Sequence, residues 1–275
     1  MRSVGFAGNT ASTRNGRECP QANGFTLNHH DENIMTTNAP RINPSEAIKG
    51  TFRQGVPAPS WRDGRMSVTV GGREWFLERE EDLESLWDDI EVDEFGEDER
   101  MPYWAELWPA SLLLGEWLIL NRERIAGGQC LELGCGMGLT AIIGSAQGAR
   151  VTAMDLEFRA LRRARANAAI NEGANPLWTA VDWRYPAFAR KAFDYIWASD
   201  ILYETRFHAP LAPLFKHYLK PGGKVWLGEP WRRVSEPVWG KLITAGFTVR
   251  KIVSEAVPFE HYKSTVNIWE VTITP

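Results

Sequence analysis

Cysteine is scarce: three in 275 residues, at Cys19, Cys130 and Cys135. They form no spaced pair of the metal-binding kind, and two of them fall in a strand and a glycine loop. That excludes a disulfide framework and a cysteine-built metal centre, so a reducing, cytoplasmic compartment is expected. Long apolar runs are also missing. No stretch approaches the ~20 residues of a membrane span, and the first residues lack the apolar core of a signal peptide. An excess of positive charge is missing too, since the net charge is -4, which argues against general affinity for nucleic acid.

What the chain has in quantity is tryptophan, 13 residues of it. Rings of that size belong in a core or on a pocket wall. Residues 1–60 are rich in Asn, Thr, Gly and Pro without a sustained apolar period. They read as a disordered tail or an over-extended start of translation, with Met35 and Met66 as alternative starts. Residues 61–100 form a second region. Met66–Val70 and Arg73–Leu77 flank Gly71-Gly72 and predict a β-hairpin. From Glu78 to Glu99, 13 of 22 positions are acidic. That stretch is either a solvated helix and loop or an acidic lip for a basic protein.

The third region, 101–275, carries the chemistry. Leu131-Glu132-Leu133-Gly134-Cys135-Gly136-Met137-Gly138 is a short apolar strand entering three glycines spaced two apart, with a helix expected at once. Seventeen residues past Gly138, a second strand ends in Asp155, where a carboxylate can bind a ribose diol. Dinucleotide folds favour Gly-x-Gly-x-x-Gly, and a nicotinamide oxidoreductase is disfavoured by this different spacing. Glu132, two residues before the loop, would repel a pyrophosphate and suits a cationic ligand such as S-adenosylmethionine.

Downstream, β and α patterns alternate. A helix is expected from about Pro109, with Pro in its first turn. Others are expected at 157–171, at 207–219 (stopped by Pro221-Gly222-Gly223) and near 234–245. Strands are expected at 177–181, 193–198, 224–228, 248–255 and 264–274. This pattern predicts an α/β fold: a Rossmann-like, doubly wound, mostly parallel seven-stranded sheet. A terminal antiparallel hairpin closes it, and a small N-terminal β-hairpin extends it. The four arginines at 159, 162, 163 and 165 read as a solvated helix face. The aromatic segment Tyr103-Trp104-Ala105-Glu106-Leu107-Trp108 either caps the core or forms a cage for an amine.

Taken together, these segments resemble the class I, seven-β-strand S-adenosylmethionine-dependent methyltransferases. Within that group they are similar to the protein lysine methyltransferases that include the enzymes modifying the β-subunit of electron transfer flavoprotein. The resemblance rests on Pro102-Tyr103-Trp104-Ala105 with Trp108-Pro109, Glu132-Leu133-Gly134-Cys135-Gly136, Asp155, Asp182-Trp183, Asp200-Ile201-Leu202-Tyr203 and Leu219-Lys220-Pro221-Gly222-Gly223.

The resemblance implies the roles. Gly134 and Gly136 would pass the methionine part of the cofactor, within a loop that includes Cys135 and Gly138, and Glu132 would lie near its ammonium. Asp155 would take the ribose hydroxyls, Leu156 the adenine face and Asp182 the adenine amine, with Trp183 on the ring. Trp108 and Ser199 would line the site from either side. Asp200 and Tyr203 would be catalytic, orienting an amine for in-line attack; a buried strand-end Asp could equally cap the next segment.

No metal is implied. Neither Asn-Pro-Pro-Tyr nor Asp-Pro-Pro-Tyr occurs, which argues against base or glutamine methylation. Asp155 is followed by Leu156-Glu157-Phe158, not by the Ile-Asp-Pro of some relatives that modify flavoproteins. The expected activity is N-methylation of a protein side chain, lysine preferred. A small-amine or metabolite methyltransferase is the alternative, and a non-enzymatic cofactor-binding module is a further one.

Overall fold

The computed structural model describes residues 56–62, 64–79 and 102–274. The acidic run at 80–99 and residues 1–55 of the tail lie outside them.

The N-terminal part is a three-stranded antiparallel sheet of β1 (Ser60–Arg62), β2 (Arg65–Val70) and β3 (Arg73–Leu77). The expected hairpin is its core, with Val70 opposite Arg73 across the Gly71-Gly72 turn. β1 is an addition, as is Val56, which is buried in the core before it. The sheet presents Met66, Val68, Val70, Trp75 and Leu77 inward, the period-2 alternation of a half-buried ribbon.

Those side chains cover α1 (Pro109–Leu120), a helix buried on almost every side. A helix apolar all round needs cover all round. α1 packs on the large sheet, on α3 (Leu139–Ala146) and on β2. A short turn of helix, α2 (Arg122–Ile125), leads from α1 into the first strand of the large sheet.

That sheet has seven strands: β4 (Gln129–Leu133), β5 (Arg150–Asp155), β6 (Leu177–Ala180), β7 (Phe193–Ser199), β8 (Leu219–Pro230), β9 (Phe247–Phe259) and β10 (Tyr262–Ile273). Their spatial order is β6-β5-β4-β7-β8-β10-β9. β4 to β8 run parallel, while β10 is antiparallel to both its neighbours. The remaining helices are α4 (Phe158–Ala169), α5 (Leu211–Tyr218) and α6 (Glu236–Thr244).

The strands divide their side chains between two cores. Cys130, Val151, Ala153, Trp197 and Trp226 join the core of α1, α3 and α4. Leu131, Leu133, Met154, Ile196, Ala198, Val225 and Leu227 join the core of α5 and α6. Both faces are thus covered, as parallel sheets require.

One boundary departs from expectation. Pro221-Gly222-Gly223 does not stop a helix: α5 ends at Tyr218, and β8 already begins at Leu219. β8 pairs with β7 through a register shift between Phe193 and Tyr195, so the Pro-Gly-Gly stretch is an irregularity inside a strand. The helix expected from 207 begins only at Leu211, after a single 3-10 turn at Thr205–Phe207.

The order of strands places the chain reversal between β4 and β7. In open α/β sheets a crevice opens there, at the carboxyl ends of the two strands. Asn167 on α4 ties this region to the small sheet. Its Nδ2 donates to the Met137 carbonyl in the glycine loop (3.0 Å), and its Oδ1 accepts from the Glu78 backbone N–H (2.8 Å). Among the described residues no helix is long and apolar enough to cross a membrane.

Candidate active site

A cleft opens over the carboxyl ends of β4, β5 and β7. Its wall includes the glycine loop, Asp155, Leu156, Asp182, Trp183, Ser199, Asp200, Tyr203 and Trp108. The structure therefore brings together every residue singled out by sequence except Glu132, which lies beneath the loop rather than on the wall.

The loop owes its path to backbone geometry. Gly136 has φ +49 and Gly138 φ +88, a left-handed conformation that side chains with a Cβ adopt at a cost. At Gly134 an added Cβ would stand 3.0 Å from the Trp183 ring and 3.1 Å from Ile201. Trp183 thus lies against the loop, with its indole nitrogen buried and unpartnered.

Asp155 ends β5 and braces the loop. Its Oδ2 accepts the Gly136 N–H at 2.9 Å and its Oδ1 the Glu157 N–H at 3.0 Å. Burial pushes its carboxyl up to about 6, offset in part by those amides. Each oxygen keeps a further lone pair for a hydroxyl donor.

Glu132 is almost fully buried. Its Oε1 accepts the Thr140 hydroxyl, and among the described residues its Oε2 has no hydrogen-bond partner. Burial raises its carboxyl to about 8, against the lowering influence of Thr140, the Trp197 indole and the Ala141 amide. An orphaned buried carboxylate oxygen under a glycine loop fits a positively charged group bound above it.

Asp182 is engaged with its neighbour. Its Oδ1 accepts the Arg184 N–H at 2.8 Å, and its Oδ2 accepts Arg184 Nε at 2.8 Å. An adenine amine would share that carboxylate with the guanidinium. Leu156 stands exposed on the wall, as an apolar face for a flat ring requires. Cys135 is buried and free, its thiol raised by burial and by the carboxylates of Asp155 and Glu132.

The other side of the cleft is aromatic. Edge-on ring contacts link Trp108 to Tyr103 (6.0 Å), Tyr103 to Tyr203 (5.3 Å), Tyr203 to Phe207 (5.5 Å) and Phe207 to Trp183 (5.2 Å). The Trp108 indole N–H donates to the Tyr103 carbonyl at 2.9 Å, which locks the first pair at the start of α1. The segment thus lines the cleft instead of only capping the core. Burial, with the charges of Glu204 and Asp155, raises the Tyr203 phenol above its ordinary range, so it stays protonated and able to donate.

Asp200 lies just past the end of β7, on the wall of the same cleft. It is buried at φ +55, and its N–H donates to the Gly228 carbonyl at 2.8 Å. Both carboxylate oxygens are held by Arg232, Nη1 to Oδ1 at 2.5 Å and Nη2 to Oδ2 at 2.8 Å. Burial raises the carboxyl to about 6 despite that guanidinium. Arg232 also lies 5.8 Å from the Trp108 ring centre.

Arg232, Arg184, Phe207 and Asn167 were not singled out by sequence. The adjacency of β7 and β8 could have directed attention to the residues just past Pro230, but nothing local marks Arg232. Six carboxylates line the cleft (Glu106, Asp155, Glu157, Asp182, Asp200, Glu204) against one arginine on the wall, Arg206. Such a wall suits a cationic ligand and disfavours a pyrophosphate. Among the described residues no group of acidic, His and Cys side chains could hold a metal.

This strand order, with a glycine-loop cleft at the carboxyl ends of the parallel strands, defines a Rossmann-like α/β architecture. Residues 130–223 match a family described as a methyltransferase domain.

Among curated relatives, the chain is 32% identical over 137 residues to the electron transfer flavoprotein beta subunit lysine methyltransferase of Xenopus laevis, covering 48% of this chain and 53% of that protein. It is 33% identical over 129 residues to the protein-lysine methyltransferase METTL21E of Bos taurus, covering 43% and 44%. The chain thus spans about half the length of the curated relatives it matches. Among solved structures, the ribosomal protein L11 methylase of Lactobacillus delbrueckii subsp. bulgaricus is 19% identical, with 58% of this chain and 78% of that chain covered and a TM-score of 0.46.

Proposed function

We propose that this protein is an S-adenosylmethionine-dependent N-methyltransferase acting on a protein side-chain amine, lysine first. The observation that carries the reading is a single cleft with two unlike halves. A glycine loop braced by Asp155 forms one half, and a chain of five aromatic rings, with Trp108 at one end beside the Arg232 that holds Asp200, forms the other. The names of the curated relatives support the protein-lysine half of the reading.

S-adenosylmethionine, when bound, supplies an electrophilic methyl group on a positively charged sulfur. In this chain Asp155 would hold hydroxyls, Leu156 and Trp183 a flat ring, and Glu132 a charge above the loop. The aromatic rings exclude water and pack against the alkyl stem of an amine. A lysine must lose its proton before it attacks, and burial between rings favours the neutral amine. Asp200 then orients an amine N–H with the lone pairs that Arg232 leaves free, and the Tyr203 hydroxyl supplies a second polar contact. Aligning and desolvating the nucleophile is the main demand of such a displacement.

The test is methyl transfer from radiolabelled S-adenosylmethionine into an extract of host cells lacking the gene, separated by size. Label in one discrete protein band is expected, and mass spectrometry of that band would identify the modified residue. Label confined to the low-mass fraction would overturn the protein substrate in favour of a small amine. No label in either fraction, with the protein binding the cofactor, would overturn the activity.

A further inference from the structure

The loop after β8 is built to hold one side chain in place. Glu229, buried at the end of β8, accepts the Ser235 hydroxyl at 2.7 Å on one oxygen and the Trp269 indole N–H at 3.1 Å on the other. Trp269 is itself stacked on Trp239 of α6 (4.1 Å between centres). Ser235 in turn approaches the Arg232 carbonyl with its hydroxyl (2.8 Å) and its N–H (3.2 Å). The short loop is stapled at both ends, and Arg232 reaches from it to fork onto Asp200.

The consequence is electrostatic. A lone buried aspartate facing aromatic rings would make a cation trap, since both the charge and the ring faces attract ammonium. With the fork in place the pair is formally neutral, and each of the two guanidinium Nη atoms occupies one lone pair on one carboxylate oxygen. The remaining lone pairs accept an N–H without binding a fixed positive charge strongly. Besides Arg232, the groups that act electrostatically on Asp200 or feel its charge are Glu229 and Tyr262, neither of them a cation; the cleft wall also carries Tyr203, Glu204 and Arg206, the last paired with Glu204 and lying over the Phe207 ring.

We propose that Arg232 is a specificity-determining positioning residue: by neutralising Asp200 it makes the acceptor half of the cleft take an amine as its neutral nucleophile and refuse a permanent cation. This rests on the amine-methyltransferase reading, and it predicts that a fully alkylated, quaternary nitrogen leaves the cleft readily.

The probe is butyltrimethylammonium, titrated by tryptophan fluorescence with and without saturating S-adenosylmethionine. Arg232→Met should bind it at least about tenfold tighter than the unaltered protein, the scale of ~1.4 kcal/mol. Arg232→Lys should stay near the unaltered protein, because it keeps the charge. The double variant Arg232→Met with Asp200→Asn should lose the gain, and Asp200→Asn alone should bind the cation no better than the unaltered protein. Equal affinity in Arg232→Met and the unaltered protein, or a gain that survives in the double variant, would overturn the inference.

Should Arg232→Met fail to fold, Asp200→Asn alone decides, since tighter cation binding in that variant contradicts the proposal. Calorimetry with S-adenosylmethionine and the label-transfer assay test the underlying reading separately. The inference can therefore fail while the enzyme still transfers methyl groups, and the reading can fail while the cation titration is unaffected.

Discussion

Alanine at Gly138 and at Gly136 should damage this protein in different ways, although the two glycines stand two residues apart. Both adopt positive φ, so alanine costs about 1–2 kcal/mol at either position for the left-handed backbone. Their surroundings differ. A Cβ at 138 would lie 2.8 Å from the Ala164 Cβ and 3.0 Å from the Trp178 ring, whereas a Cβ at 136 would meet the Trp104 backbone, its carbonyl oxygen at 3.4 Å and its Cα at 3.7 Å. Overpacking against a helix and a ring adds roughly 1–3 kcal/mol, and it falls on position 138 alone. Gly138→Ala should therefore lower the unfolding free energy by about 2–5 kcal/mol, and Gly136→Ala by about 1–2 kcal/mol. Urea titration of the cofactor-free protein measures both. Calorimetry with S-adenosylmethionine should then show that the folded fraction of Gly138→Ala still binds, while Gly136→Ala, whose new methyl borders the cleft, binds more weakly. Equal destabilisation by the two variants would refute the steric argument. Normal cofactor affinity in Gly136→Ala would refute the placement of the ligand against that loop.

Asp155→Ala should abolish cofactor binding by calorimetry and destabilise the apoprotein, because it strands the Gly136 and Glu157 N–H groups at roughly 1–3 kcal/mol each; normal affinity would sink its assignment to the ribose. Asp200→Asn, chosen because Asn tolerates positive φ better than Ala, should keep cofactor binding and stop methyl transfer, and full turnover would remove Asp200 from the mechanism. Because Asp155 and Asp200 titrate near 6 when folded and near 3.8 otherwise, the folded apoprotein takes up protons that the unfolded chain does not as pH falls through that window. Its stability against urea should therefore rise from pH 7 towards pH 4.5 as far as these two groups control it. Affinity for the cationic cofactor should fall over the same range as the carboxylates lose their charge, and calorimetry at pH 7.5 and pH 5 would show the two trends running in opposite directions.

Much of this was legible locally. The three glycines, the strand-end Asp155 and the alternation of apolar runs marked the crevice because they depend on short-range rules: φ at a turn, period 2 in a strand, a carboxylate where β5 ends. The Gly71-Gly72 turn and the hairpin around it were legible for the same reason. β1 and the buried Val56 were not, because a three-residue strand has no period to read. The Pro-Gly-Gly stretch misled, since a pairing irregularity against β7 and a helix stop use the same residues.

By itself, then, the sequence determined the strand–helix alternation, the glycine loop that walls one side of the cleft and the acidic residues at the strand ends. Each of these is encoded within a few residues of itself. Only the tertiary structure decided how those side chains are paired. Asp200 meets Arg232 because β7 and β8 lie side by side, 32 positions apart in the chain. Asp182 turns to Arg184, Glu132 is drawn beneath the loop to Thr140, and Tyr103 meets Tyr203 across the cleft, 100 residues away by number. Charge and orientation at such a site depend on what packing brings within a few ångströms, and burial then raises these carboxylates above their ordinary range; neither distance nor burial is written in the local order of residues.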